Sequence, residues 1–129
     1  MKDFDEVVDS GERQEFDTGS VRDTNKGKPR FDLITPIAMR RLAMHYSNGA
    51  KKYGDRNWEK GQPLARYIES AERHLEKLKI GLKDEDHESA CIWNIMAYIH
   101  TKTLIESGDL PLELNNMPKY SKKIKELFT

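Results

Sequence analysis

The sequence has a single cysteine in 129 residues, so no disulfide forms within the chain. Cys91 sits among Ala90, Ile92 and Trp93, which predicts a buried and inert thiol. No apolar run approaches the roughly 20 residues of a membrane span. The acidic start MKDFDEVVDS also lacks the basic end and apolar stretch of a signal peptide. Both absences predict a soluble cytoplasmic protein. Net charge is absent too, with 22 basic and 22 acidic side chains. Duplex nucleic acid rewards many cations spread over one face, so no duplex partner is expected. Internal repeats and convincing strand alternation are missing as well, which leaves an all-α reading. The length suits one domain with one core.

The zero net charge hides an asymmetry. Residues 1–23 carry eight acids and three bases, residues 24–81 six acids and thirteen bases, and the remainder eight acids and six bases. The basic middle suits a small phosphate-bearing ligand.

Residues 1–27 are rich in acids and glycine and poor in apolar side chains, which predicts a flexible acidic arm. Its strand-like pieces, Glu6-Val7-Val8 and Gly19-Ser20-Val21, would pair on a partner. Residues 28–129 then form a single all-α domain. Lys28 to Ile34 reads as extended, because Pro29 and Pro36 restrict their predecessors. Thr35-Pro36 is a helix start, with a capping hydroxyl followed by proline at the first position. That helix is expected over 36–48, stopped by Asn48-Gly49 unless Ala50 to Lys52 resume it, with Tyr53 to Pro63 as a loop.

The second helix, 63–80, has the clearest period: Leu64, Tyr67, Ile68, Ala71, Leu75 and Leu78 share a face, and Gly81 terminates it. The third, 87–107, is apolar around most of its circumference and is expected to be the nearly enclosed central helix. A short amphipathic helix follows over 120–128. The predicted fold is a small helical bundle of three main helices and a short fourth, with an apolar surface that favours a homo-oligomer.

Four constellations carry chemistry. On the second helix Arg66, Ser70, Arg73, His74 and Lys77 form a polar stripe. It suits a di- or triphosphate, which arginine grips through two oxygens, although position alone favours a solvated face in which Glu69 pairs with Arg73. On the third helix His87, Asn94 and Thr101 recur every seven residues as a polar seam in an apolar helix. Asn94, beside Trp93, reads a base edge or fixes register. Asp86-His87 is an acid/base pair at a helix start, or Asp86 is a cap.

The third constellation is Glu69-x-x-Glu72 and Glu85-x-x-Glu88, whose spacing on two facing helices would make an oxygen cage for Mg²⁺. The fourth is the loop Lys51, Lys52, Tyr53, Gly54, Asp55, Arg56, Asn57 and Trp58. Its cations and aromatics suit a stacked base and a phosphate, or a surface loop pinned by Trp58.

Taken in order, KGKPRFDLI from Lys26, GAKKYGDRNW from Gly49, Arg73-His74-Leu75, and Asp86-His87 followed by Trp93-Asn94 resemble a family found largely in phages. That family is the dATP/dGTP diphosphohydrolase N-terminal domain, a relative of the all-α MazG-like nucleotide pyrophosphohydrolases. The resemblance covers residues 20–118 and implies a purine nucleotide partner. Lys51, Lys52, Arg66 and Arg73 would face phosphates, with His74, Asp86 and His87 near the reacting groups. It further implies Mg²⁺-dependent cleavage of dATP or dGTP to monophosphate and pyrophosphate. This chain departs from the MazG-like signature in having Glu88 where an aspartate is usual. The family name also describes a domain that can precede a separate catalytic one. Two rivals therefore stand beside the hydrolase: a non-catalytic phage protein that sequesters a nucleotide, and a structural dimer.

Overall fold

Three-residue strands need a tight turn to pair, and Gly19, at φ +86°, supplies one between Phe16 and Ser20. In the computed structural model, which describes residues 7–129, strand β1 (Arg13–Glu15) pairs antiparallel with β2 (Val21–Asp23), Gln14 opposite Arg22. The Gly19 to Val21 piece thus pairs within the arm rather than on a partner. Of the other piece, Glu6 lies outside the described residues, and Val7 and Val8 are exposed and in no strand. Asp23 ties the hairpin together, accepting from Ser10 Oγ at 2.5 Å and Lys28 Nζ at 3.1 Å. These contacts, Ser10 first, hold its carboxyl at about 2. Phe31–Leu33 is a 3-10 turn rather than extended chain, since Pro29 and Pro36 constrain only Lys28 and Thr35. The hairpin and this turn belong to a unit ending at Ile34, and a second unit runs from Thr35 to Thr129.

The second unit is helical: α1 (Pro36–Tyr53), α2 (Leu64–Ile80), α3 (His87–Ser107) and the short α4 (Lys122–Lys125). The all-α class and its three main helices plus a short fourth are as the sequence predicts. Thr35 caps α1 by accepting from Ala38 N at 3.5 Å. Helix α1 does not stop at Asn48-Gly49. Glycine inside a helix costs only about 1 kcal/mol, and the terminator is Gly54, at φ +93°. Within the expected loop, Asn57–Lys60 forms a 3-10 turn closed by Gly61. Gly61, at φ +90°, holds a conformation that side-chain-bearing residues rarely adopt, and a Cβ there would also crowd Leu114 Cδ1 at 2.9 Å.

Helices α2 and α3 make the main packing, with Leu64, Tyr67, Ala97 and Ile105 at its centre. Burying Leu64 alone contributes about 1.5 to 3 kcal/mol. Helix α3 is not enclosed as its composition predicts. Its buried line is His87, Ala90, Asn94, Ala97, Thr101 and Ile105, while Ile92, Ile95, Met96 and Ile99 are exposed. The small Ala90 and Ala97 let α2 approach closely, and the polar seam lies between them because each member has a partner. Asn94 Nδ2 donates to Ser70 Oγ at 3.2 Å and to Ala90 O at 2.8 Å, and Thr101 Oγ1 donates to Tyr67 OH at 3.3 Å. Cys91 is half-buried rather than buried. No described helix is long and apolar enough to cross a membrane.

Candidate functional site

The overrun of α1 places its last turns opposite α2. Positions 45, 49 and 53 fall on one face of α1, and positions 46 and 50 lie beside them. Together with the Gly54 to Trp58 loop, Arg66, Ser70 and Arg73 of α2, and Trp93 and Asn94 of α3, this face bounds a cleft of about 1040 Å³. A volume of that order accommodates a small organic ligand.

One wall is aromatic. Tyr46 meets Trp58 edge-on, with centroids 6.1 Å apart, and lies 6.4 Å from Trp93. His45 approaches Trp93 at 6.2 Å. Trp58 also packs edge-on against His100 at 4.8 Å, so it both faces the cleft and pins the loop. The loop carries backbone strain as well: Arg56 is at φ +57°, the one non-glycine with positive φ among the described residues. A side chain held in that region costs of order 1 to 3 kcal/mol and marks functional loops.

Helix α2 adds charge to the lining. Arg66 and Arg73, two turns apart on α2, both pair with Glu69 between them, Arg73 at 2.9 Å. Arg73 first, and then Arg66, holds the Glu69 carboxyl below its ordinary range. Arg56 pairs with Glu59 at 2.6 Å. Arg66 and Arg73 are each more than half exposed, so an incoming anion competes with a carboxylate held only by surface pairs.

Of the expected ligand-binding residues, Tyr53, Arg56, Asn57, Trp58, Arg66, Arg73, Trp93 and Asn94 line the cleft. Lys51, Lys52 and Lys77 do not. Lys51 and Lys52 occupy the last turn of α1, where the helix dipole favours cations, and Lys52 Nζ lies 5.2 Å from the Tyr53 ring centre. His45, Tyr46, Gly49, Gln62 and Met96 line the cleft but escaped the sequence reading. The helical spacing of His45 and Gly49 with Tyr53, which puts all three on one face, is the signal that could have found the first two once α1 is continued past Gly49.

His74, Asp86 and His87 do not line the cleft either, although the sequence reading put them near the reacting groups. Gly81, at φ +86°, reverses the chain after α2, so that the end of α2 meets the start of α3. There His74 Nδ1 and His87 Nδ1 lie 2.9 Å apart, and His87 Nε2 lies 2.7 Å from Asp84 Oδ1. Burial pushes the His74 imidazole below its usual range, with Glu85 opposing and His87, Lys77 and His45 reinforcing.

Asp86 caps α3. Its Oδ1 accepts from Ser89 N at 3.1 Å, and its Oδ2 accepts from Ser89 Oγ at 2.7 Å. Arg41 clamps the same carboxylate, with Nη2 2.5 Å from Oδ1 and Nε 3.2 Å from Oδ2. Partial burial works against the charge, but Arg41 and Ser89 outweigh it and hold the group at about 2. As it stands the carboxylate serves as a cap and an ion-pair partner.

The four glutamates expected to hold Mg²⁺ do not converge. Glu69 is taken by two arginines, Glu88 Oε2 lies 3.0 Å from Arg41, and Glu72 borders a separate shallow groove with Glu76 and Lys79. The residues do not fit an all-carboxylate Mg²⁺ cage. Among the described residues, one group could hold an ion: His74, Glu85 and His87, with ligand atoms all within 4.8 Å of one another.

An all-α unit whose three long helices bound an open cleft lined by aromatic and cationic side chains is a class suited to small organic anions. The family described as dATP/dGTP diphosphohydrolase, N-terminal, matches residues 18–108, and the chain belongs to that family. No curated protein matches the chain, and no solved structure does.

Proposed function

We propose that the cleft binds a purine deoxynucleoside triphosphate and supports its hydrolysis to monophosphate and pyrophosphate. The observation that carries this reading is that one cleft is lined both by the aromatic group Tyr46, Trp58 and Trp93 and by Arg66 and Arg73. A base stacks on the first, and phosphate oxygens displace Glu69 from the second. In the reaction a water oxygen joins the α-phosphorus, the bond from that phosphorus to the bridging oxygen breaks, and pyrophosphate leaves. His45 is the imidazole on the cleft wall, and in this reading it takes the water's proton in place of His74 or His87. Mg²⁺ enters as the counter-ion of the substrate phosphates. The setting is the cytoplasm, of the host if the chain is phage-encoded.

The binder without turnover has one observation in its favour. The acids Glu69, Asp86 and Glu88 are each engaged by arginine, which leaves few free carboxylates for catalysis. Calorimetry with dATP and dGTP, followed by pyrophosphate release across the four dNTPs with Mg²⁺, tests both. Binding with release supports the hydrolase, binding without release supports sequestration, and absence of binding rejects the cleft assignment. The exposed Ile92, Ile95, Met96 and Ile99 of α3 support the homo-oligomer expected from sequence. Light scattering at micromolar concentration should give a multiple of the 15.0 kDa chain mass.

A further inference from the structure

The turn between α2 and α3 gathers side chains that the nucleotide cleft does not use. His74 lies two turns from the end of α2, His87 opens α3, and Asp84 and Glu85 lie in the link between them. Their rings are 5.2 Å apart, centre to centre, and tilted by 39°, with the two Nδ1 atoms facing each other at 2.9 Å. His87 is 2% exposed, and its Nε2 lies 2.7 Å from the Asp84 carboxylate. An Nε2–H donated to Asp84 fixes the His87 tautomer and leaves Nδ1 as a bare lone pair directed at His74. Glu85 completes a set of three ligand atoms within 4.8 Å of one another.

We propose that His74 Nδ1, His87 Nδ1 and Glu85 form a binding site for a divalent first-row transition metal, Zn²⁺ above all, with Asp84 as positioning residue. Two imidazoles and one carboxylate are a donor set that suits zinc and leaves a fourth position open to water. The spacing agrees. Metal–nitrogen bonds of about 2.0 to 2.1 Å put two cis nitrogens about 2.9 Å apart at a right angle and about 3.4 Å apart at the tetrahedral angle. The observed 2.9 Å therefore needs a parting of no more than half an ångström or so. Asp84 behind His87 repeats the carboxylate–histidine–metal arrangement, in which the second carboxylate orients the ring and raises its basicity. Coordination would tie the end of α2 to the start of α3, across the reversal at Gly81.

The site is independent of what occupies the cleft and goes beyond the nucleotide reading. Its test therefore uses no nucleotide and no turnover. The full chain, freed of metal with a chelator, is titrated with Zn²⁺ by calorimetry and with Co²⁺ by visible absorption. The expected result is saturation at one metal per chain, a Co²⁺ spectrum of low-symmetry nitrogen and oxygen ligation, and no competition from equimolar Mg²⁺. His74→Gln should abolish saturable binding, and Glu85→Gln, an exposed position, should weaken it without disturbing the fold by circular dichroism. Asp84→Asn should weaken Zn²⁺ by about 10- to 100-fold while leaving the metal-to-chain ratio at one. Absence of saturable Zn²⁺ binding in the wild type would overturn the proposal, as would equal affinity in folded His74→Gln and Glu85→Gln proteins. If dATP binds but Zn²⁺ does not, the metal site alone fails; if Zn²⁺ binds but dATP does not, the cleft alone fails.

Discussion

Helix α2 carries one polar stripe along its length, yet its two ends stand in different surroundings. Arg66, Ser70 and Arg73 open onto the cleft, where permanent cations are matched by the single carboxylate Glu69. At the next residue, about 100° further round the helix, His74 is partly buried against His87, and burial favours its neutral form. The first end attracts anions and tolerates water. The second presents two imidazole nitrogens that share a hydrogen bond, a pair that a metal cation can take up once it replaces that hydrogen. The difference teaches that a stripe identified by spacing is not one site. What lies opposite each turn decides its chemistry: the open end of α1 in one case, the start of α3 in the other.

The sharpest way to break the comparison is to remove a cation from the open end alone. Arg73→Ala should weaken dATP or dGTP binding by about ten- to a hundredfold, the equivalent of 1.5 to 3 kcal/mol for a hydrogen bond to a charged group. Zn²⁺ affinity should be unchanged, although Arg73 and His74 are neighbours in sequence. The remaining nucleotide affinity should also depend less on salt than that of the wild type, because one ionic contact is gone. Calorimetry at two salt concentrations reads both effects, and a joint loss of nucleotide and metal would merge the two ends into one site.

The second variant concerns the acid next to the histidine end. Asp86→Ala removes a cap hydrogen bond from α3 and the partner of Arg41, and should lower stability by about 0.5 to 2 kcal/mol in chemical denaturation. Nucleotide affinity should stay within twofold of the wild type, since Asp86 does not line the cleft. A folded variant that binds nucleotide normally but has lost all turnover would return Asp86 to the chemistry.

How much of this was legible depended on the distance over which each feature is determined. The Thr35-Pro36 start and the Gly81 stop are local, and the structure repeats them, whereas the apolar period of α2 is buried only at Leu64, Tyr67 and Ala71 and leaves Leu75 and Leu78 exposed. The polar seam was visible from the spacing of His87, Asn94 and Thr101, and so was its need for partners. The exposure of Ile92, Ile95, Met96 and Ile99 was not, because only the close approach of α2 at Ala90 and Ala97 decides which side of α3 is covered. Gly49 misled because a glycine stops a helix only where φ turns positive, which the sequence does not display. The Glu-x-x-Glu pairs misled for another reason. Spacing predicts a shared face but not which cation occupies it, and the partner of Glu88 is Arg41, far away in the chain. The contact of His74 with His87 likewise exists only once the turn at Gly81 is built.

The smallest expected effect sharpens the comparison from the opposite side. Glu69 sits between Arg66 and Arg73 and accepts from both, so an anion entering the cleft must first displace a carboxylate. Glu69→Gln keeps the shape and the helix propensity close to those of glutamate while removing the competing charge. Both arginines are then free for phosphate, and nucleotide affinity should rise a few-fold, most at low salt where exposed charges are least screened. Stability should hardly move, because pairs this exposed contribute little to the folded state. The histidine end should again be indifferent, with the same Zn²⁺ affinity as the wild type. Calorimetry of dATP binding at low and high salt, beside a denaturation curve, makes the measurement. Weaker binding in Glu69→Gln would mean that Glu69 orients the arginines rather than competing for them, so that the open end is pre-organised by its carboxylate.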